Sequence, residues 1–310
     1  MSEPKDFLSV ADWSAAQLWE LLARARELKE RRRSGDRPQT LRGRTLAMYF
    51  EKPSLRTHVT FEAGMAQLGG HAILLRPEQV GIGTRESPRD VARSLSRWVD
   101  GLMARTFSHA LVEQLASEAS VPVINGLTDL LHPCQAMADL QTIAERMDPR
   151  DALLVYVGDG NNVANSLCLL AAVLGMRMRI ATPASHPPSP RILRRVAELA
   201  AQSGASVEWL ESPGAAVEGA DFVYTDTWTS MGQEAESEMR RELFAPYQVN
   251  DQLLEAAPGA RVMHCLPAHR GEEITSEILD GSRCVAFDQA ENRLHSQQAV
   301  LERLMLARPA

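Results

Sequence analysis

Ser54, Arg56 and Thr57 stand close together in Phe50-Glu-Lys-Pro-Ser-Leu-Arg-Thr-His-Val-Thr-Phe61. Two hydroxyls and a guanidinium at that spacing can hold the oxygens of a phosphate, the arginine with two parallel hydrogen bonds. Pro53 marks a boundary, and Ser54 behind it is a good N-cap. The first N–H groups of the helix then have no intrahelical partner and carry partial positive charge, which suits an oxyanion. An ordinary capped helix with exposed charge has the same local sequence, so other clusters must decide.

Four further clusters carry usable chemistry. His132-Pro-Cys-Gln135 could polarise a carbonyl through His132 and orient an amide through Gln135, and Arg105 at a strand end would complete an anion site. Gly158-Asp-Gly-Asn-Asn-Val163 has G-x-G but Val163 where a dinucleotide loop has its third glycine, so the nucleotide reading is weak. Asn161 and Asn162 could instead bind the carboxylate and amine of a zwitterion, or one of them could simply cap the helix. Asp226-Thr-Trp-Thr-Ser-Met-Gly232 offers a carboxylate for an ammonium, against the plainer reading of a surface loop. His264-Cys-Leu-Pro-Ala-His-Arg-Gly271 invites a thiol-hydrolase reading through Cys265. A structural cysteine is commoner, and the backbone carbonyls of a loop bent by Pro267 could accept from a substrate amide.

These clusters need elements to carry them. Leu46 to Phe50 alternates like a short strand, and Phe61, Met65 and Leu68 follow at helical spacing. Residues 11–34 read as a surface helix with Leu18, Leu21, Leu22 and Ala25 inward and Arg31–Arg33 on the wet face. Strands are expected at 71–75, 101–107 and 121–125, helices at 90–99 and 111–119, and a loop at 76–87 long enough to serve function or an interface. A helix from about Leu131 to Met147 precedes a polar turn, Asp148–Asp151. The second half restarts with strands at 152–157, 176–181, 207–209, 222–224 and 261–263. Helices there are expected up to Gly175 and at 191–203, with a solvated helix from Gln233. Such alternation predicts parallel sheets covered by helices on both faces, with ligands at the carboxyl ends of the strands. The clusters after Val157, Tyr224 and Met263 would then face one crevice.

The composition narrows the class. The chain has 310 residues, enough for two domains, with 45% hydrophobic and 24% charged residues and a net charge of −7. That balance disfavours nucleic acid or an anionic membrane as partner while allowing a local basic pocket. No apolar run is long enough to span a bilayer. Cys134, Cys168, Cys265 and Cys284 are scattered without a CxxC pair, which fits a reduced, cytoplasmic setting without structural zinc.

Taken in order, the motifs resemble those of the ornithine carbamoyltransferases, within the aspartate/ornithine carbamoyltransferase superfamily, from about residue 40 to the end. The resemblance rests on Ser54-Leu-Arg-Thr57, Gln67-Leu-Gly-Gly-His71, Arg105-Thr-Phe107, His132-Pro-Cys-Gln135 and Gly158-Asp-Gly-Asn-Asn162. It continues through Asp226-x-x-x-Ser-Met-Gly232, His264-Cys-Leu-Pro-Ala-His-Arg-Gly271 and Phe287-Asp-x-Ala-Glu-Asn-Arg293. It implies an α/β fold of two doubly wound domains, each with a central parallel sheet flanked by helices. Residues 1–147 would bind carbamoyl phosphate and 148–293 ornithine. Residues 294–310, with a helix at about 296–306, would return to the first domain. It also implies a homotrimer or a multiple of trimers, no cofactor, no metal, and a place in arginine metabolism.

By motif position, Ser54, Arg56, Thr57 and the Leu55 backbone would hold the phosphate, with Gln79 reaching it from a neighbouring subunit. Arg105, His132, Gln135, Arg293 and the backbone carbonyls around Cys265 and Leu266 would bind the carbamoyl group. Arg105, His132 and Cys265 would be the catalytic set. Asn162, Asp226, Ser230 and Met231 would hold ornithine. The chain departs from the common Ser-Thr-Arg-Thr-Arg form at Leu55 and at His58, where a permanent cation is lost, and its 79–86 loop is longer than usual. Putrescine, N-acetylornithine or aspartate as the amine, a non-catalytic homologue, and a dinucleotide-dependent oxidoreductase are the rival readings.

Overall fold

The computed structural model describes residues 4–229, 232 and 234–307. Two units emerge, residues 1–141 with 292–310 and residues 142–291. Both divisions lie inside helices, where a sequence carries no turn signal. The expected divisions, after 147 and 293, lie a few residues on.

The first unit runs α1 (Ala15–Arg33), β1 (Thr45–Phe50), α2 (Leu55–Gln67), β2 (His71–Leu75), α3 (Pro77–Val80) and α4 (Pro88–Leu95). It continues with β3 (Gly101–Arg105), α5 (His109–Glu118), β4 (Val123–Leu127) and α6 (Pro133–Ala144). Its four strands are parallel in the order β2-β1-β3-β4. The order reverses direction between β1 and β3, so the loops after these two strands part to opposite faces and leave a crevice at their carboxyl ends. Ser54 follows β1 and Arg105 ends β3, so the topology brings the cradle and the first distant arginine to one place. A register shift between Ala104 and Arg105 against β4 re-aims that arginine.

Local chemistry explains the helices that matter. In α1, Ser14 and Gln17 form a reciprocal capping box, and Leu18, Leu21, Leu22, Ala25 and Leu28 are buried along one face. In α2, Ser54 accepts from the Thr57 N–H at 3.2 Å, and Thr57, Phe61, Gly64 and Met65 face inward. Burying Phe61 completely contributes about 1.5–3 kcal/mol. The 76–87 loop is more ordered than its sequence suggests: α3 stops at Gly81, whose φ of +66° suits glycine, and Ile82 pairs with Glu86.

The second unit runs β5 (Leu153–Val157), α7 (Asn162–Leu174), β6 (Arg177–Ala181), α8 (Pro190–Ser203), β7 (Ser206–Leu210), α9 (Pro213–Val217) and β8 (Phe222–Thr225). It continues with α10 (Ser237–Phe244), α11 (Asp251–Leu254), β9 (Arg261–His264), α12 (Ser276–Leu279) and the start of α13 (Ala286–Leu306). Its sheet is parallel in the order β7-β6-β5-β8-β9, reversing between β5 and β8. The Gly158 loop follows β5, the Asp226 loop follows β8, and the His264 loop follows β9. All three meet at the carboxyl edge of this sheet.

The last helix is ten residues longer at its start than the expected 296–306. The Phe287-to-Arg293 motif lies inside it, since it contains no breaker and keeps helical spacing through Ala286, Ala290 and Leu294. In the first unit this helix lies against α2 at Gly64, where an added Cβ would sit 3.3 Å from the Gln298 side chain. It is also fastened to α1: Lys29 donates to Asn292 at 2.7 Å, and Arg24 forks onto Glu302 at 2.5 and 3.0 Å.

Candidate active site

In the first unit the predicted cradle residues converge. Thr57 is fully buried, and its hydroxyl accepts from Arg105 at 3.3 Å and from Arg293 at 2.9 Å. The other Arg293 nitrogen donates to the Gln135 oxygen at 2.7 Å, and the Gln135 nitrogen donates to Asp139 at 2.7 Å. Arg105, Gln135, Asp139 and Arg293 are all buried. His132 sits at the start of α6, where its carbonyl accepts from the Gln135 and Ala136 N–H groups. Its imidazole is pushed well below the usual histidine range, first by burial and then by Arg293, Arg105 and Arg56. It is therefore neutral at pH 7 and can donate a hydrogen bond without adding charge. Lys52 lies 4.3 Å from the Phe107 ring centre, and its pKa is lowered by burial and then by Arg105.

Four cations thus gather around two hydroxyls and a neutral imidazole. Glu51, Asp129 and Asp139 offset part of their mutual repulsion, and a bound anion would offset more. Leu55 is 74% exposed, so its side chain takes no part and only its backbone can contribute. His58 pairs with Glu62 at 3.1 Å and lies against Phe50, and so serves its own helix. Gln79 stands apart from this cluster, with its amide oxygen accepting from the Arg76 N–H at 2.9 Å.

In the second unit Asp226 is the hub. One carboxylate oxygen accepts from the Thr227 N–H and the Cys265 thiol, each at 2.8 Å; the other accepts from the Asn161 amide at 2.8 Å. Asn161 also caps α7 through the Val163 and Ala164 N–H groups. It is therefore the capping asparagine of the pair, and Asn162 begins the helix half-exposed. Ser230 and Met231 lie outside the described residues.

Asp159 is buried and paired with the buried Arg240, whose Nε donates to the Trp228 carbonyl at 2.6 Å. Burial raises the Asp159 pKa to about 6, against the pull of Arg240 and with a further push from Asp226. Gly160 beside it has no room for a side chain: an added Cβ would lie 2.3 Å from the Pro187 carbonyl carbon.

The His264 loop is held from below. His264 Nδ1 accepts from the Leu266 N–H at 2.8 Å, so Nε2 carries the proton toward Glu273 at 3.0 Å. The Leu266–Pro267 bond is cis, and Leu266 has a φ of +58°. Both His264 ring nitrogens are therefore engaged away from Cys265, and the cysteine–histidine pairing of a thiol hydrolase does not form. Asp226, His264 and Cys265 are metal-ligand types with donor atoms within 4.8 Å of one another, but their hydrogen bonds are made to protein partners.

Several residues of these networks escape sequence reading. Asp139 lies four residues after Gln135 on one helix face, a spacing that could have revealed it. Asp159 and Arg240 meet only through the fold, and Glu273 is recognised only once His264 is placed.

Family models match both parts of the chain. Residues 5–145 match the aspartate/ornithine carbamoyltransferase carbamoyl-P binding domain, and residues 150–304 match the Asp/Orn binding domain of the same proteins. The chain is 50% identical over 303 residues to an ornithine carbamoyltransferase of Anoxybacillus flavithermus, covering 97% of this chain and 96% of that one. It is 48% identical over 303 residues to an anabolic ornithine carbamoyltransferase of Pyrococcus furiosus, with the same coverage. Among solved structures, the ornithine carbamoyltransferase of Pyrococcus furiosus superposes with a TM-score of 0.95 over 98% of each chain at 48% identity. Ornithine transcarbamoylase from Giardia lamblia, at 32% identity, gives 0.89 over 99% of this chain and 100% of that one.

Proposed function

Because the chain belongs to the aspartate/ornithine carbamoyltransferase family, we propose that it moves the carbamoyl group of carbamoyl phosphate to the δ-amine of L-ornithine, giving L-citrulline and phosphate. The observation that carries this reading is the buried cluster of Thr57, Arg105, Arg293 and Gln135 beside a neutral His132. Such a cluster suits a phosphate with a carbonyl and an amide attached.

Ser54, the Leu55 backbone, Arg56, Thr57 and Arg105 hold the phosphate. Arg105 and His132 donate to the carbamoyl oxygen as it gains charge, and donors of this kind contribute about 2.7–4 kcal/mol each. Gln135 and the carbonyls around Cys265 and Leu266 receive the carbamoyl –NH2, with Arg293 supporting. Asn162, Asp226, Ser230 and Met231 hold the ornithine α-amino and α-carboxylate groups. A free alkyl amine has a pKa near 10.4, so ornithine must lose a proton before it attacks. Desolvation and the nearby guanidiniums favour the neutral amine. Its lone pair forms the new C–N bond, the C–O bond to phosphate breaks, and the departing phosphate takes the amine proton. Holding both substrates in line supplies much of the acceleration.

Asp226 presents a carboxylate, which suits an amino group and repels the second carboxylate of aspartate. In this reading the protein works in arginine metabolism in the cytoplasm, without metal or cofactor. It assembles as a trimer or a multiple of trimers, with Gln79 completing a neighbour's phosphate site. The test is to supply carbamoyl phosphate with ornithine, N-acetylornithine, putrescine or aspartate in turn and to measure product and phosphate. Citrulline from ornithine alone is expected. Preference for another amine would overturn the second half-site, and a folded protein without turnover would leave a non-catalytic homologue.

A further inference from the structure

Gln135 is gripped at both ends of its amide. Its nitrogen donates to Asp139 and its oxygen accepts from Arg293, each at 2.7 Å. A carboxylate can only accept and a guanidinium can only donate. The two neighbours therefore decide which end of the amide is which. Turning it over would set oxygen against oxygen and N–H against N–H. Asp139 sits one turn along α6 with no exposed surface, and Gln135 is 1% exposed. The oxygen end lies toward Arg293, which also grips Thr57, while the nitrogen end lies toward Asp139. An amide oxygen has two lone pairs, and Arg293 takes one.

We propose that Asp139 is a positioning residue: it fixes the direction of the Gln135 amide so that its oxygen selects an acyl phosphate ending in –NH2 over one ending in –CH3. The inference rests on the carbamoyl phosphate reading of this half-site. Carbamoyl and acetyl phosphate are alike in size and share the phosphate and the carbonyl. Ser54, Arg56 and Thr57 cannot tell them apart. A fixed acceptor at the end of the acyl group can, because it gains a hydrogen bond from –NH2 and is left desolvated without one by –CH3. An amide free to turn would present its own –NH2 and lose the distinction. If Asp139 were only a countercharge to the guanidiniums, every phosphate ligand would feel its loss equally.

The test uses the full chain with Asp139→Asn, and with Asp139→Ser as a second variant should the first not fold. Three constants are measured: KM for carbamoyl phosphate, and the inhibition constants of acetyl phosphate and inorganic phosphate against it. Both replacements can donate as well as accept, so Asp139's share of the grip is lost and Arg293 alone still holds the oxygen end. The preference for carbamoyl over acetyl phosphate should fall by up to about tenfold, the value of one good hydrogen bond. Phosphate inhibition should hold or tighten, because a negative charge has gone. Gln135→Met should lose the same preference, and adding Asp139→Asn to it should change the preference no further. Equal changes for all three ligands, or a preference that survives any of these variants, would overturn the proposal. A wild-type protein that transfers nothing from carbamoyl phosphate would instead sink the underlying reading, before any variant is compared.

Discussion

Replacing Arg240 with methionine should destabilise the second domain, and by more at pH 8 than at pH 6. Arg240 is 2% exposed, pairs with the buried Asp159 and donates to the Trp228 carbonyl. Removing one partner of a buried ion pair typically costs about 3–5 kcal/mol, because the other charge stays buried. Asp159 can escape part of this by binding a proton. Its folded pKa is about 6, against an ordinary value of 3.8, because burial outweighs Arg240. A raised carboxyl pKa means that the folded state holds its proton longer than the unfolded state. The stability this group contributes is present below the ordinary value and is lost as pH rises through the folded value. In the wild type that loss is complete soon above pH 6. In Arg240→Met the lowering influence is gone, so the folded pKa lies higher and the loss continues. Each pH unit then removes about 1.4 kcal/mol more from the variant than from the wild type. Between pH 6 and 8 the extra deficit reaches up to about 2.7 kcal/mol, which is about 5–10 °C in Tm for a domain of this size. Scanning calorimetry of both proteins at the two pH values measures it. A deficit that is equal at both, or smaller at pH 8, would refute the reasoning.

Three other outcomes are expected. Arg293→Ala removes donors to both Gln135 and Thr57; charge-assisted bonds contribute about 1.5–3 kcal/mol each, so the first domain should lose about that much or more in denaturant unfolding, and KM for carbamoyl phosphate should rise in steady-state kinetics. Cys265→Ala loses one thiol hydrogen bond to Asp226, so turnover should fall only about fivefold, and complete loss in a folded variant would point to covalent catalysis. His132→Ala should lower kcat by about 100- to 1000-fold. Because His132 titrates well below the usual histidine range, any acidic limb of the wild-type pH–rate profile near pH 6.5 belongs to another group.

What could be read from the chain follows the reach of each interaction. The Ser54 cap, the inward face of Phe61 and Met65, and the strand–helix alternation all depend on residues within two turns or one strand of each other. They appear where the sequence puts them. The convergence of Thr57, Arg105, Gln135 and Arg293 depends on sheet order; the residues alone suggest Arg105 beside Gln135, and the resemblance to a known family adds Thr57 and Arg293. The asparagine pair shows the limit of local reading: both fit a helix start, and the bonds of Asn161 to the Val163 and Ala164 N–H groups and to Asp226 mark it as the cap. Asp159 and Arg240 lie far apart in sequence and carry no pattern, since two charges become a buried pair only when the fold removes water around them. Gln79 fits a local cap in this chain, and the proposed reach toward a second subunit would be a matter of assembly rather than of pattern.

The fastening of α13 to α1 and α2 has a consequence for how the protein is made. Residues 292–306 belong to the first unit, and Arg293, Glu302 and Asn292 make bonds inside it. A chain emerging from the ribosome usually folds its first domain before the second is finished. Here the phosphate cradle lacks Arg293, and α1 lacks these partners, until the whole second unit has been synthesised. The first domain must therefore wait, with part of its apolar surface uncovered, for the last helix to arrive. A ribosome stalled shortly before Asn292 would present a chain with every strand of both sheets and no finished carbamoyl site.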